Sequence, residues 1–346
     1  MIMSVLPRRC RTRPGLGALI GLLLLGGLVA CSGDAEGTGG DSGDDAADDQ
    51  SRSGGSVALS WPLTGEPLDG ALPDHPVVAV KVDNSSSSAP QLGLDAADIV
   101  TEQLVEGGTT RLAVLYYSQL PEVAGPVRSM RATDIGIVNP ANAVLVASGG
   151  AGKTRARVDG AGIDTFPEGS VGYQRASDRP APYNLMMDLP ELVGLLEPDE
   201  PPPPYLPFGG DDLAGGEPAA EFDVVFSGGH TTSWRYAPNT AYTRPDSYAK
   251  AGADFVPDNV LVLRVKIGDA GYSDPAGNPV PETIYEGTGQ AMLFSGGTVV
   301  EATWVKPEPR SPLRLNTRSG DPLQVPPGRT WIELAPAAEW PVQIGG

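Results

Sequence analysis

The chain has 346 residues, only two cysteines and a formal charge of −19 at pH 7. That charge disfavours a nucleic-acid partner, which needs clustered cations to neutralise phosphates. Two cysteines leave no disulfide framework and no Cys metal site.

Arg8, Arg9, Arg11 and Arg13 precede the uncharged run GLGALIGLLLLGGLVA, residues 15–30. The run is too short for a bilayer span of about 20 apolar residues and is predicted to be an export signal. It closes on Leu28-Val29-Ala30-Cys31, the pattern of a bacterial lipoprotein signal peptide. Residues 1–30 are thus expected to be removed and Cys31 to carry the lipid. Stable anchoring takes more than one acyl chain, as a processed lipoprotein cysteine provides. Cys10 leaves with the signal, so the mature domain has no thiol, and loss of four arginines without an acid takes the charge to −23. Residues 31–60 are acidic and rich in Gly and Ser, the composition of a solvated tether. The expected location is the outer, extracytoplasmic face of a cell membrane.

From residue 61 the chain reads as two domains, 61–196 and 221–346. Between them EPDEPPPPYLPFGGDDLAGGEPAA, residues 197–220, cannot continue a helix or a central strand. In the first domain PVVAVKV (76–82), the pair within DIVTEQLVEGGTTRLAVLYYS (98–118) and AVLVA (143–147) are predicted strands. PVRSMRATDIGIV (126–138) has helical spacing. In the second domain FDVVF, VLVLRVKI, AMLFS, TVVEATWV and RTWIEL are strand-like. The fold class is α+β, a mixed α/β domain followed by a mostly β one.

AVLVASGGAGKT (143–154) approaches the phosphate loop G-x-x-x-x-G-K-[ST], with Ala147 in place of the first glycine. Its Ser-Gly-Gly part recurs in DVVFSGG and AMLFSGG without Gly-Lys-Thr. The shared element is more simply a strand ending in a glycine turn, and no nucleotide is expected.

A two-residue loop at Gly107-Gly108 would place Glu102, Leu104, Glu106 and Arg111 on one strand face, with both glutamates diagonal to Arg111. A one-residue change of register would scramble that grouping. Arg128, Arg131 and Asp134 share a face if 127–138 is helical, and two guanidiniums on a first helical turn suit an anion. A surface salt-bridge set is the competing reading. Asp83 and Asn84 follow a strand end, where loops present functional groups or an Asx turn forms. His75 and His230 have no second ligand at metal spacing; neither metal nor cofactor is expected.

HPVVAVKVDN, EGGTTR and GPVRSMR, within about 75–195, resemble the first domain of the YerB-like lipoproteins of Gram-positive bacteria, a two-domain family of unknown function (DUF3048). A weaker stretch at about 221–337 includes EATWVK and PPGRTWIEL. On this chain the family's motifs fall on Asp83, Asn84, Glu106, Gly107, Gly108, Thr110, Arg111, Arg128, Ser129 and Arg131. The resemblance implies a lipoprotein and supplies no reaction. The family's second domain has a His before its Asn-Val strand and AGADFVPDNVLVL has none, so a His-dependent role at that position does not carry over. The favoured reading is a binding module using Asp83, Asn84, Glu102, Glu106, Arg111, Arg128 and Arg131 for an anionic envelope component or an envelope protein. The alternative is a cell-wall hydrolase or transferase working through paired carboxylates such as Glu102 and Glu106.

Overall fold

A computed structural model describes residues 59–346 except 211, 214, 239, 240, 339–341 and 346. The signal, Cys31 and nearly all of the tether lie outside the described residues. No helix among the described residues is long and apolar enough to cross a membrane.

Strands β1 (Val78–Asn84), β2 (Ile99–Leu104) and β3 (Thr110–Tyr116) open the fold, followed by the short β4 (Val123–Ala124). Helix α1 (Asp134–Val138), β5 (Val144–Val146), α2 (Gly152–Gly160) and β6 (Thr165–Phe166) come next. β7 (Tyr173–Arg175), β8 (Leu185–Asp188) and α3 (Leu189–Val193) complete the first half. The second half is strands: β9 (Glu217–Pro218), β10 (Glu221–Ser227), β11 (His230–Tyr236), β12 (Tyr242–Thr243) and the long β13 (Asn259–Ser273). They continue as β14 (Pro279–Ile284), β15 (Gly287–Ser295), β16 (Thr298–Lys306), β17 (Arg314–Thr317), β18 (Pro322–Leu323), β19 (Thr330–Pro336) and β20 (Val342–Ile344). The predicted strands of both halves are present, and the α+β class holds.

The main sheet runs β18-β17-β16-β15-β13-β19-β2-β3-β1-β5-β6, and a smaller one runs β12-β11-β10-β20. The main sheet crosses the sequence boundary between the halves because β19 lies between β13 and β2, parallel to both. The 197–220 stretch separates the halves in sequence, but described residues of it pack onto this body. Tyr205 and Leu206 are buried, and the Tyr205 hydroxyl donates to Ile137 C=O at 3.1 Å.

Strand alternation divides the core into two layers. Val77, Ala79, Ala113, Leu115 and Ile332 pack on the face that receives α1 and α2. Val78, Val80, Val82, Leu112, Val114 and Trp331 pack on the other, beneath Phe222 and Trp234 of the small sheet. Phe222 stacks on Phe294 with ring centroids 3.6 Å apart, and Trp234 meets Trp331 edge-on at 5.4 Å.

Two local expectations are corrected. The β2–β3 loop has three residues, Glu106–Gly108, closed by Val105 N–H donating to Thr109 C=O at 2.9 Å. Gly107 and Gly108 both sit at φ 72°, where a side chain would be strained. The longer loop moves the register one residue from that of a two-residue turn: Arg111 faces Gln103, and Leu104 faces Thr110. Glu102 therefore lies on the opposite sheet face from Arg111.

The helix expected over 126–138 is confined to Asp134–Val138. The preceding amides bond sideways: Val127 N–H to Leu185 C=O, Arg128 N–H to Lys81 C=O and Met130 N–H to Gly149 C=O, at 2.7, 2.8 and 2.9 Å. Arg128 and Arg131 thus sit on a non-helical segment laced between strands, and no first helical turn presents them.

Candidate functional site

The seven polar residues singled out in the sequence fall into two clusters on opposite faces of the main sheet. Asp83 and Arg111 are cross-strand partners of β1 and β3, and Gln103 is the partner of Arg111 on β2. Their face also carries Lys81, two residues before Asp83. Asn84, Glu102 and Thr110 alternate onto the other face.

On the first face each cation meets a carboxylate. Arg128 Nε is 2.8 Å from Asp83 Oδ2, and its guanidinium lies over the Tyr183 ring at 5.3 Å. Glu106 holds two arginines: Arg111 Nη2 donates to its Oε1 at 2.8 Å, while Arg131 grips both carboxylate oxygens. Lys81 Nζ, fully buried, is 2.9 Å from Asp134 Oδ1, which also accepts from Gln103 Nε2 at 2.6 Å. Burial pushes the Glu106 carboxyl up, but the Arg111 and Arg131 charges hold it below the usual range. Burial, then the Arg131 charge, bring Arg111 down to about 10. Burial also lowers Lys81 against the pull of Asp134. Four cations thus face three carboxylates, and Arg128 is the most accessible of these cations, its side chain 22% exposed.

Ser129, whose carbonyl accepts from Arg111, continues the rim of this cluster to Ser148 at the end of β5. The Ser-Gly-Gly-Ala-Gly stretch then leads into α2. Lys153 Nζ donates to Gly271 C=O at 3.0 Å, and the Thr154 and Tyr272 hydroxyls are hydrogen-bonded at 3.0 Å. The two side chains that a phosphate loop aims at its ligand are therefore tied to the far end of β13. The other two Ser-Gly-Gly stretches are hairpin turns, leading from β10 to β11 and from β15 to β16.

On the second face Glu102 is the hub. Its Oε1 accepts from Thr110 Oγ1 at 2.6 Å, His230 Nε2 at 2.7 Å and Asn84 Nδ2 at 2.9 Å; Oε2 accepts from Thr232 Oγ1 at 3.0 Å. Glu333, its neighbour across the parallel ladder of β2 and β19, is equally buried and accepts from Trp234 Nε1 at 2.9 Å. Two adjacent buried carboxyls cannot both ionise cheaply. Burial and the Glu102 charge drive Glu333 well above the usual carboxyl range. Burial also pushes Glu102 up, but its hydrogen bonds and the His230 charge bring it below. Burial lowers His230, and Glu102 more than restores it, leaving a net rise.

The second cluster reaches the surface at a dish of about 30 Å³ bordered by Asn84, His230, Arg244, Asp246 and Tyr248. Arg244 closes its inner side, its guanidinium 4.0 Å from the Trp331 ring centroid and paired with Asp254. The paired carboxylates expected at Glu102 and Glu106 do not form, because those side chains occupy opposite faces. Glu102 pairs with Glu333 instead.

Sequence reading missed Lys81, His230 and Glu333 as site residues. His230 is 128 positions from Glu102 and carries no local motif. Glu333 did leave a trace: it interrupts the otherwise apolar run of TWIELAP, a strand buried at every residue. No group of three or more His, Cys, Asp or Glu among the described residues is arranged to hold a metal ion.

A mixed sheet sandwiched between layers, with an ion-paired cluster on one face and a carboxyl–imidazole cluster on the other, defines an α+β protein assembled from both halves of its chain. Residues 63–200 match the family described as "Protein of unknown function (DUF3048) N-terminal domain", and residues 222–332 match its C-terminal domain; the chain belongs to that family. "Putative lipoprotein YerB" of Bacillus subtilis (strain 168) is 26% identical over 291 residues, 80% of this chain and 86% of the relative. The crystal structure of the YerB protein from Bacillus subtilis aligns with a TM-score of 0.69 at 24% identity, covering 82% of this chain and 99% of that one, a likeness of fold.

Proposed function

We propose that the protein is a lipid-anchored binding module on the extracytoplasmic face of the cell membrane, attached through Cys31. Its first-face cluster takes an anionic group of an envelope component. The observation that carries this reading is the surplus of cations: four against three carboxylates, with Arg128 at the rim beside Ser129 and Ser148. A carboxylate or phosphate approaching Arg128 would share its guanidinium with Asp83. Arg111 and Arg131, both largely buried and joined through Glu106, hold the rim in place. Asn84 and Glu102 are assigned to the second face and not to this ligand.

The test uses inorganic phosphate and acetate, followed by NMR, together with isolated cell-wall polymer in a pelleting assay. Arg128→Ala should weaken binding about ten- to a hundredfold, the worth of one charge-assisted hydrogen bond, with only a modest fall in melting temperature because Asp83 keeps its hydrogen bonds from Ser85. Arg111→Ala should lower the melting temperature instead. Binding by Arg128→Ala equal to that of the wild type would sink the reading.

The hydrolase or transferase alternative keeps one supporting observation. Glu102 orients His230 as a carboxylate orients a catalytic imidazole, at the base of a dish that can hold a water molecule. Release of soluble fragments from isolated cell wall by wild-type protein, abolished in His230→Gln, would favour it.

A further inference from the structure

Away from both clusters, hollows open over the outer strands of the main sheet. Two adjoining hollows of about 500 Å³ each share Met292, Glu301 and Arg318. Their floor is the face of β15 and β16, with Gln290 and Thr303 directly opposed across the ladder. Val342 and Ile344 of β20 form a wall, one in each hollow.

β20 borders this groove with an open backbone edge. It pairs with β10 in the register Phe222↔Ile344, Asp223↔Gln343 and Val224↔Val342, and Gly345 N–H donates to Glu221 C=O at 2.9 Å. In an antiparallel ladder, hydrogen-bonded and non-hydrogen-bonded pairs alternate. Gly345 and Gln343 therefore turn their amides toward β10, and Val342 and Ile344 turn theirs to the opposite edge. No described strand pairs with that edge. Two N–H and two C=O groups, spaced two residues apart, therefore lie on the edge of β20 away from β10, at the two residues that wall the groove.

We propose that this groove binds an extended peptide segment of a partner protein, which adds as a strand to β20 and lies across the β15–β16 face. The alternating donors and acceptors along β20 call for a peptide backbone, because another strand matches their spacing at every second residue. The floor selects the side chains. Over the middle of the floor Gln290, Met292 and Thr303 are uncharged and Glu301 is already ion-paired with Arg318, while Glu217 lines one hollow and Arg264 the other. The central inward-facing positions of the peptide are therefore uncharged, alternating small polar and apolar. An unpaired sheet edge is otherwise a liability that folded proteins cover or blunt.

A panel of labelled short peptides with such alternation, titrated into the full chain by fluorescence anisotropy, tests the proposal. At least one should bind in the micromolar to millimolar range. Ile344→Pro removes an amide that points away from β10, at an edge position where proline is tolerated. It should weaken binding about tenfold, one hydrogen bond's worth, and leave melting nearly unchanged. N-methylation of the peptide supplies a readout that leaves the protein untouched: methyl groups on alternate amides of one parity should abolish binding, and those of the other parity should not. No binding by any peptide, or equal effects of the two parities, overturns the proposal. A concentration-dependent dimer that Ile344→Pro abolishes would also overturn it, since the groove's occupant would then be a second copy of this chain.

Discussion

The opposite ionisation preferences of the two carboxyls at the second cluster predict opposite outcomes for one chemical change made at two neighbouring sites. Glu333→Gln replaces a carboxyl that the folded protein keeps protonated; Glu102→Gln replaces one kept ionised. In the unfolded chain Glu333 loses its proton above its ordinary value of 4.5, whereas the folded protein retains it. Rising pH therefore favours unfolding by about 1.4 kcal/mol per unit above that value, until the folded carboxyl ionises too. Glutamine binds no proton in either state and escapes this cost. Its carbonyl can still accept from Trp234 Nε1. Glu333→Gln should therefore match the wild type near pH 4.5 and gain stability relative to it as pH rises toward 7. Glu102→Gln takes the counter-charge from His230 and should cost about 3–5 kcal/mol, as breaking a buried pair does. Urea midpoints at pH 5 and pH 7, with unchanged slopes, measure both. A Glu333→Gln protein that loses more stability at pH 7 than at pH 5 would refute this placement of charge.

His230 has a raised pKa in the folded state, so its contribution is complete below its ordinary value of 6.5 and is lost as pH rises through the folded value. His230→Gln should accordingly show a flatter fall in melting temperature across that upper window, measured by calorimetry. Lys81→Met should cost about 3–5 kcal/mol in urea unfolding, because it strands the fully buried Asp134 carboxylate. Cys31→Ser should shift the chain from the membrane pellet to the soluble fraction after fractionation and abolish labelling by a fatty-acid probe; equal label on both proteins would defeat the lipid anchor. Lys153→Ala should leave a Mg-ATP titration as flat as that of the wild type, and micromolar binding lost in the variant would overturn the reading of the Gly-Lys-Thr stretch.

The strands were legible because their apolar residues recur with period two or run unbroken, and the motifs around Asp83, Glu106 and Arg128 pointed to the family. The partition of the site was not legible. One extra loop residue between Leu104 and Thr110 sends Glu102 to the other face, and local sequence does not distinguish a two-residue loop from a three-residue one at Glu-Gly-Gly-Thr. Helical spacing at Arg128, Arg131 and Asp134 was real, but the strand edges beside Val127 and Arg128 captured the amides a helix needs. Glu333 reaches Glu102 through long-range pairing of β19 with β2, and His230 reaches it through packing of the small sheet on the main one, so beyond the charge that interrupts TWIELAP neither leaves a local signal.

The position of β19 also sets an order of assembly. Its parallel partners begin at Ile99 on one side and Asn259 on the other, and the Ile99↔Thr330 contact joins residues roughly 230 positions apart, a separation that slows folding. A chain made from its N-terminus presents the β2–β3 hairpin long before β19 exists, with the β2 edge unpaired. Glu102 waits as well, since His230, Thr232 and Glu333 all arrive later. A fragment ending before residue 330 would leave the β2 and β13 edges unpaired, and one ending before residue 230 would also leave Glu102 without its imidazole partner. The first half is thus expected to aggregate when produced alone, and supplying the second half in trans should restore solubility by closing the sheet.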